Sequence, residues 1–170
     1  MDALDAKYGL HNQDMMTGLD ARNTAQRYQC FSLAGLAIGS VSKKTLKIVN
    51  TVTYSSNGIG KSKTTAAVAF TATTHDITAS ASTVQEACYL VTLASDGTPT
   101  VTMGTVSTGA GTALLPSVPS GGTPIGFARI AVAAGSTIFD ATSDDLDAAH
   151  LTVTYYDILG PLSQRFDSAI

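Results

Sequence analysis

Residues 123–156, TPIGFARIAVAAGSTIFDATSDDLDAAHLTVTYY, decide the fold of this chain. A Pro-Gly entry leads into an apolar run at 127–133, and the stretch closes on a second run at 150–156. In the second run, apolar and aromatic residues alternate with threonine, which is the period-two pattern of a half-buried strand. The inward-facing positions of that pattern are Leu151, Val153 and Tyr155. We therefore predict two core strands that are joined by a long loop.

Working outward, short strand patterns are separated by turn signals. Further strands are predicted at residues 45–54, 66–71, 76–78, 86–94 and 100–106. Asn57-Gly58 and Asp96-Gly97 supply the positive φ angles that tight hairpins require. The inner face of the first of these strands is predicted to carry Leu46, Ile48, Val52 and Tyr54. Short strands without a useful helical period predict an all-β fold, an antiparallel β-sandwich or β-barrel.

The chain divides into three parts: an arm at 1–40, a β domain at 41–160 and a tail at 161–170. Glycines interrupt the first part, which we expect to be extended or partly helical. Forty extended residues reach about 130 Å, far beyond the radius of gyration of about 15 Å expected for such a domain. The alternative is a terminus that packs on its own domain or is disordered. The arm's candidate contact residues are Leu10, Met15, Met16, Leu19 and Phe31.

Composition favours protein partners over nucleic acid. Only 14% of the residues are charged, against about 25% in typical globular domains, and a weakly charged surface is easily desolvated. The net charge is −3, whereas proteins that bind nucleic acid need clustered Lys and Arg to neutralise phosphates. We interpret Lys43, Lys44 and Lys47 as solvated or edge-protecting lysines.

Targeting and redox signals are few. The N-terminus has neither the basic nor the apolar region of a signal peptide, and the apolar piece at 31–38 is too short to span a bilayer. We therefore expect no membrane partner. Cys30 and Cys88 do not make a disulfide framework, and Cys88, within an apolar run, is predicted to be a small buried side chain.

No motif predicts catalysis, a cofactor or a metal. Gly58-Ile59-Gly60-Lys61-Ser62 resembles part of a phosphate-binding loop, but its first glycine is replaced by Ser55 and a strand follows, so a hairpin turn is the better interpretation. The acidic run at 140–147 lacks the spacing of a calcium loop and suggests an Asx-turn or one capped helical turn.

The histidines also give no enzyme signature. His11, His75 and His150 lie far apart, with no second ligand at metal spacing. His75-Asp76 could begin a catalytic pair, yet no Gly-x-Ser-x-Gly elbow is present. We expect that the protein is not an enzyme; a small hydrolase stays an alternative that alanine substitutions of His75 and His150 would test.

Residues 86–157 resemble virion proteins of tailed bacteriophages, namely capsid decoration (cement) and head-fibre-like proteins. The similarity follows the strand 89–93, the Asp-Gly turn, the strand 100–103, a Pro/Gly loop and the strands 129–132 and 151–157. It implies a β-sandwich or β-tulip-like domain on the outer capsid surface, often a homotrimer, in a virion made in the host cytoplasm. It implies no catalytic residues.

Two functions are therefore expected. The first is a cement protein that binds the major capsid protein and copies of itself and stabilises the shell. The second is a fibre or adhesin module that binds a host-surface receptor or glycan, with the loop 107–124 making the contact. Under the first hypothesis, deletion of residues 1–40 is predicted to abolish capsid binding and leave a folded domain.

Overall fold

The computed structural model describes residues 26–78, 82–135 and 138–160. This part of the chain forms thirteen strands: β1 (Gln29–Cys30), β2 (Ala37–Ile38), β3 (Thr45–Ile48), β4 (Val52–Ser56), β5 (Ile59–Lys63), β6 (Ala66–Ala69), β7 (Ile77–Thr78), β8 (Gln85–Leu93), β9 (Pro99–Met103), β10 (Ser107–Thr108), β11 (Thr123–Val132), β12 (Ile138–Phe139) and β13 (Leu151–Asp157). The predicted all-β class is confirmed. The sheets pack in a sandwich-like arrangement, and the described strands close no barrel.

The central sheet has five strands. β8 and β11 lie in its middle, β13 forms one edge, and β9 and β10 together form the other edge. β11 pairs antiparallel with β13 from Gly126 opposite Asp157 to Val132 opposite Leu151. The predicted pairing of the two runs within 123–156 is therefore confirmed. All nine residues of β8 are buried, because this strand is covered on both faces.

The Asp-Gly hairpin predicted between the strands at 86–94 and 100–106 is also present. β8 pairs with β9, with Tyr89 opposite Met103 and Leu93 opposite Pro99. Gly97 has a φ of 82°, a left-handed conformation that glycine adopts without steric cost. The return strand ends earlier than predicted, at Met103, and resumes as β10 after a break.

Three smaller sheets cover one face of the central sheet. Their strand orders are β1-β4-β5, β2-β3-β6 and β12-β7. The strand predicted at 45–54 is in fact two strands in different sheets, because the chain bends where Val49 N and Asn50 N both donate to Ala34 O. Its predicted inner face is nevertheless buried at every position: Leu46, Ile48, Val52 and Tyr54.

The sheets begin before the boundary predicted at residue 40. β1 pairs with β4 and β2 pairs with β3, and Cys30, Ala34 and Leu36 are buried in the main core. The Asp157 carboxylate accepts hydrogen bonds from Gly35 N and Leu36 N at 3.1 and 3.2 Å. Residues 29–38 are therefore part of the β domain, and only residues 1–25 of the predicted arm lie outside the described residues, as does the predicted tail at 161–170.

A second, smaller core lies on the opposite face of the central sheet. Cys88, Leu90 and Phe127 form it, and loop residues pack over them: Ala113, Leu115 and Val118. The buried Glu86 carboxylate accepts a hydrogen bond of 2.7 Å from Ala113 N. Part of the loop at 107–124 is thus held against the sheet.

Candidate interaction surface

The side chains of His75 and Asp76 accept hydrogen bonds from backbone N–H groups and do not form an exposed catalytic pair. His75 is buried, and its Nδ1 accepts a hydrogen bond of 2.7 Å from Thr71 N. Burial lowers the pKa of His75, against the opposing effect of its hydrogen bond with the Val101 backbone. The Asp76 carboxylate accepts hydrogen bonds from Thr73 N and Ala141 N. Both side chains therefore join the loops at 71–76 and 140–141 to the core.

The lowered pKa of His75 predicts a loss of stability in acid. The unfolded chain takes up a proton below the ordinary histidine pKa of about 6.5, whereas the folded chain resists protonation. The contribution of His75 to the free energy of unfolding is therefore fully present above about pH 6.5. Below that pH it falls, by up to about 1.4 kcal/mol per pH unit for one such group. Denaturant unfolding between pH 8 and 5 should show a shallower fall for His75→Gln than for the wild type.

His150→Gln is the control for this measurement, because His150 is only partly buried at the surface. That variant should keep the steep fall of the wild type. An unchanged slope in His75→Gln would contradict the prediction.

The acidic run at 140–147 forms the predicted Asx-turn. Asp140 Oδ1 accepts hydrogen bonds from Thr142 N and Ser143 N, and Asp144 Oδ2 accepts one of 2.8 Å from Asp140 N. The hydrogen bond from Thr142 N is the main cause of a lowered pKa for Asp140. Within the described ranges, no group of three or more His, Cys, Asp or Glu side chains is placed to hold a metal ion.

The glycine-containing sequence at 58–62 is a hairpin turn, as predicted. β4 and β5 pair from Val52 opposite Lys63 to Ser56 opposite Ile59. Asn57 and Gly58 have φ angles of 53° and 79°, the two positive values of a two-residue hairpin loop. Lys61 and Ser62 lie on β5 and do not open a helix.

The two cysteines are free and buried, so the prediction for Cys88 is confirmed. Burial is the main cause that raises the pKa of Cys88 to about 11, and burial also raises the pKa of Cys30. Because the thiolate is the reactive form, both side chains act as small apolar groups in the cores.

The feature most suited to a partner is a group of exposed apolar side chains, here called the apolar strip. Its members are Phe31, Leu33, Val49 and Leu159, which are 54%, 50%, 42% and 57% exposed. Phe31 and Leu159 flank the bridge in which Gly160 N donates to Cys30 O at 2.8 Å. Leu33 precedes Ala34, whose carbonyl accepts hydrogen bonds from Val49 N and Asn50 N. The four side chains therefore lie on chain segments that are bonded to one another.

Polar groups beside the strip are already bonded within the chain. Ser32 Oγ donates to Thr51 O and accepts from Thr53 N, and Asn50 Nδ2 donates to Leu33 O. A partner that covers the strip would thus leave few polar groups without a hydrogen bond, which keeps the cost of desolvation low.

Of the five predicted contact residues, Phe31 belongs to this strip, whereas Leu10, Met15, Met16 and Leu19 lie outside the described residues. Sequence reasoning missed Leu33, Val49 and Leu159. For Leu33 the signal was available, since Phe31 and Leu33 alternate with Cys30 and Ser32 in a period-two pattern. Val49 and Leu159 are placed near them only by hydrogen bonds between distant segments, from Val49 N to Ala34 O and from Gly160 N to Cys30 O.

A shallow groove lies elsewhere, between residues 103–107 and loop residues 112–117. Its volume is about 480 Å³, and its lining contains no charged side chain. Ser107 Oγ and Thr112 Oγ1 are hydrogen bonded at 2.6 Å across it. Its size falls within the range of small-molecule sites, about 300–1,000 Å³.

Comparisons with protein-family models, with curated proteins and with solved structures give no match for this chain. The part of the chain that the structure describes contains no helix of the length and hydropathy needed to cross a membrane.

Proposed function

We propose that this protein is a structural virion component of the cement type, which binds the outer surface of a capsid and stabilises the shell. The observation that carries the proposal is the apolar strip: four large apolar side chains, each at least 42% exposed, on bonded neighbouring segments. Exposed apolar side chains grouped on neighbouring segments are typical of protein interaction sites. The low charged fraction of 14% further reduces the cost of burying the surrounding surface.

A repetitive shell strengthens such contacts. A stable protein complex buries about 1,600 Å² in total, and an individual contact through four side chains contributes only part of that area. On a capsid, neighbouring copies and neighbouring shell subunits would add their contacts through multivalency. The major capsid protein is therefore the partner that the proposal names first, together with further copies of this chain, for which the phage resemblance suggests a homotrimer.

The double variant Phe31→Ser, Leu159→Ser tests the proposal. We expect it to fold like the wild type, because both side chains are more than half exposed, and to lose at least tenfold in affinity for purified shells of the major capsid protein. Cosedimentation with those shells measures the bound fraction. The control is Val41→Ser, since Val41 is fully exposed but lies outside the strip; it should bind normally. Full binding by the double variant would overturn the proposal.

The arm is tested by deletion of residues 1–25 and not of 1–40. Removal of residues 29–40 would take Cys30, Ala34 and Leu36 out of the main core, so the longer deletion is expected to unfold the domain. The shorter deletion should leave the domain folded and, if the predicted arm binds the capsid, should reduce shell occupancy. A shorter variant that still decorates shells fully would refute the role of the arm.

A second candidate, a fibre or adhesin module, is favoured by the groove beside loop 107–124. Its lining is uncharged and rich in hydroxyl groups, including Thr105, Ser107 and Thr112, which suits a neutral glycan. Binding of the isolated protein to a glycan array, lost in Thr112→Val, would support this function. Binding to shells without any glycan binding would instead support the cement function.

A further inference from the structure

One edge of the central sheet, the outer side of β13, is paired with none of the described strands. At the two ends of the β11–β13 pair, Ala133 N donates to His150 O at 2.9 Å and Ile158 N donates to Ile125 O at 3.1 Å. Antiparallel pairs alternate between bonded and non-bonded positions, so with the observed register the residues of β13 bonded to β11 are Thr152, Thr154 and Tyr156. The N–H and C=O groups that point away from the sheet are those of Leu151, Val153, Tyr155 and Asp157, and of these the Leu151 N–H already donates to Ala148 O. No described strand pairs with that side of β13.

The opposite edge of the same sheet is protected. Pro99 begins β9 without an N–H group. Tyr89 lies opposite Met103 while Glu86 lies opposite Ser107, so this edge contains one more residue than β8 between those points, which is a β-bulge. Proline, bulges and covering groups are the usual devices that prevent edge-to-edge pairing.

β13 has no proline, and its described pairing with β11 contains no bulge. Its seven residues, LTVTYYD, include no proline, lysine or glycine. Its one charged side chain, Asp157, is turned toward Gly35 N and Leu36 N. No like charges would therefore face each other if two copies of this strand were brought together.

We propose that β13 pairs antiparallel with β13 of a second copy of this chain about a two-fold axis. The outward-facing N–H groups that no described residue accepts belong to Val153, Tyr155 and Asp157. These positions are symmetric about Tyr155, so Tyr155 lies opposite its counterpart and Val153 lies opposite Asp157. That register uses the outward-facing groups of both strands in about six hydrogen bonds.

A second copy is the occupant that pairs all three of these positions. The two-fold arrangement joins identical edges and closes, which leaves neither β13 edge free. The inference goes beyond the cement proposal and does not depend on it. It also predicts assemblies built from pairs, in contrast to the homotrimer that the phage resemblance suggests.

Hydrogen exchange of the full chain, measured by NMR, tests the pairing without any substitution. At high concentration the amides of Val153, Tyr155 and Asp157 should be protected about as well as those of Thr152, Thr154 and Tyr156. On dilution below the dissociation constant, only the outward-facing three should exchange rapidly. If those three amides are protected in a particle that sedimentation shows to be a monomer, the edge is covered by the same chain and the proposal fails.

Cross-linking locates the contact. Thr154→Cys places a thiol on β13 near its counterpart in the second copy, within reach of a dimaleimide of about 10 Å. Thr102→Cys is the matched control, because Thr102 is also a half-buried threonine on an edge strand of this sheet. The native cysteines are buried and should not react. We expect covalent dimers only from Thr154→Cys; dimers from the control alone, or from neither variant, would overturn the proposal.

Discussion

Replacement of Tyr89 by alanine should lower the free energy of unfolding by about 3–5 kcal/mol, the usual cost of removing a large buried aromatic side chain. Tyr89 is completely buried in the middle of β8. Its ring makes edge-to-face contacts with Phe70, Phe139 and His75, at centroid distances of 5.4, 6.1 and 6.1 Å. The cavity would therefore open between the central sheet and the strands that cover it.

Tyr89→Phe separates the ring from its hydroxyl. The Tyr89 hydroxyl donates a hydrogen bond of 2.7 Å to His75 O, and phenylalanine would keep the ring contacts but leave that buried carbonyl without its donor. We expect the free energy of unfolding to fall by about 1–3 kcal/mol, which is less than in the alanine variant. Urea unfolding measures both. If Tyr89→Phe were as unstable as Tyr89→Ala, the ring contacts would contribute little and this account of the core would be wrong.

Gly126→Ala should give the second large effect, a decrease of about 1–3 kcal/mol in the free energy of unfolding. A Cβ atom at this position would lie 2.5 Å from Leu36 Cδ1 and 2.6 Å from Tyr156 O. The Leu36 side chain can move only into a packed core, and the Tyr156 carbonyl is fixed in the neighbouring strand. Gly126 also follows an irregularity in the pairing of β11 with β8. The glycine is required here by close approach of the backbone.

Gly60→Ala is the control for this substitution. Gly60 lies in β5, a Cβ there would contact nothing within 4 Å, and its φ is not in the left-handed region. Its unfolding free energy should stay within about 0.5 kcal/mol of the wild type. Thermal unfolding of both variants measures the difference, and a Gly126→Ala variant as stable as Gly60→Ala would show that residues 29–38 can move away from the sheet at little cost.

Local patterns predicted much of the fold. The period-two alternation at 150–156 located β13, and Asn57-Gly58 and Asp96-Gly97 located two hairpins, since both signals depend only on neighbouring residues. The buried face of 45–54 was also correct, although the strand was not continuous. Its break at Val49 and Asn50 depends on Ala34, fifteen residues away at the nearer contact, which a local pattern does not contain.

The candidate surface was predicted only in part. Phe31 was named because the apolar residues of the predicted arm need a surface to bury against. Leu159 lies far along the chain, and the bridge between Cys30 and Gly160 is what places its segment beside that of Phe31. The N-terminal boundary was misplaced for the same reason, because β1 and β2 are two-residue strands that are too short to show a period and are held by tertiary bonds.

The sequence alone determined the all-β class, two hairpin turns and the inward faces of the segments 45–54 and 151–155, because alternation, glycine position and side-chain type act within a few residues. Tertiary structure decided which strands share a sheet, where the sheets begin, which apolar side chains are exposed on neighbouring segments and which sheet edge is paired with none of the described strands. Those properties depend on register and on contacts between distant segments, and hydrogen bonds between strands are nearly independent of side-chain identity.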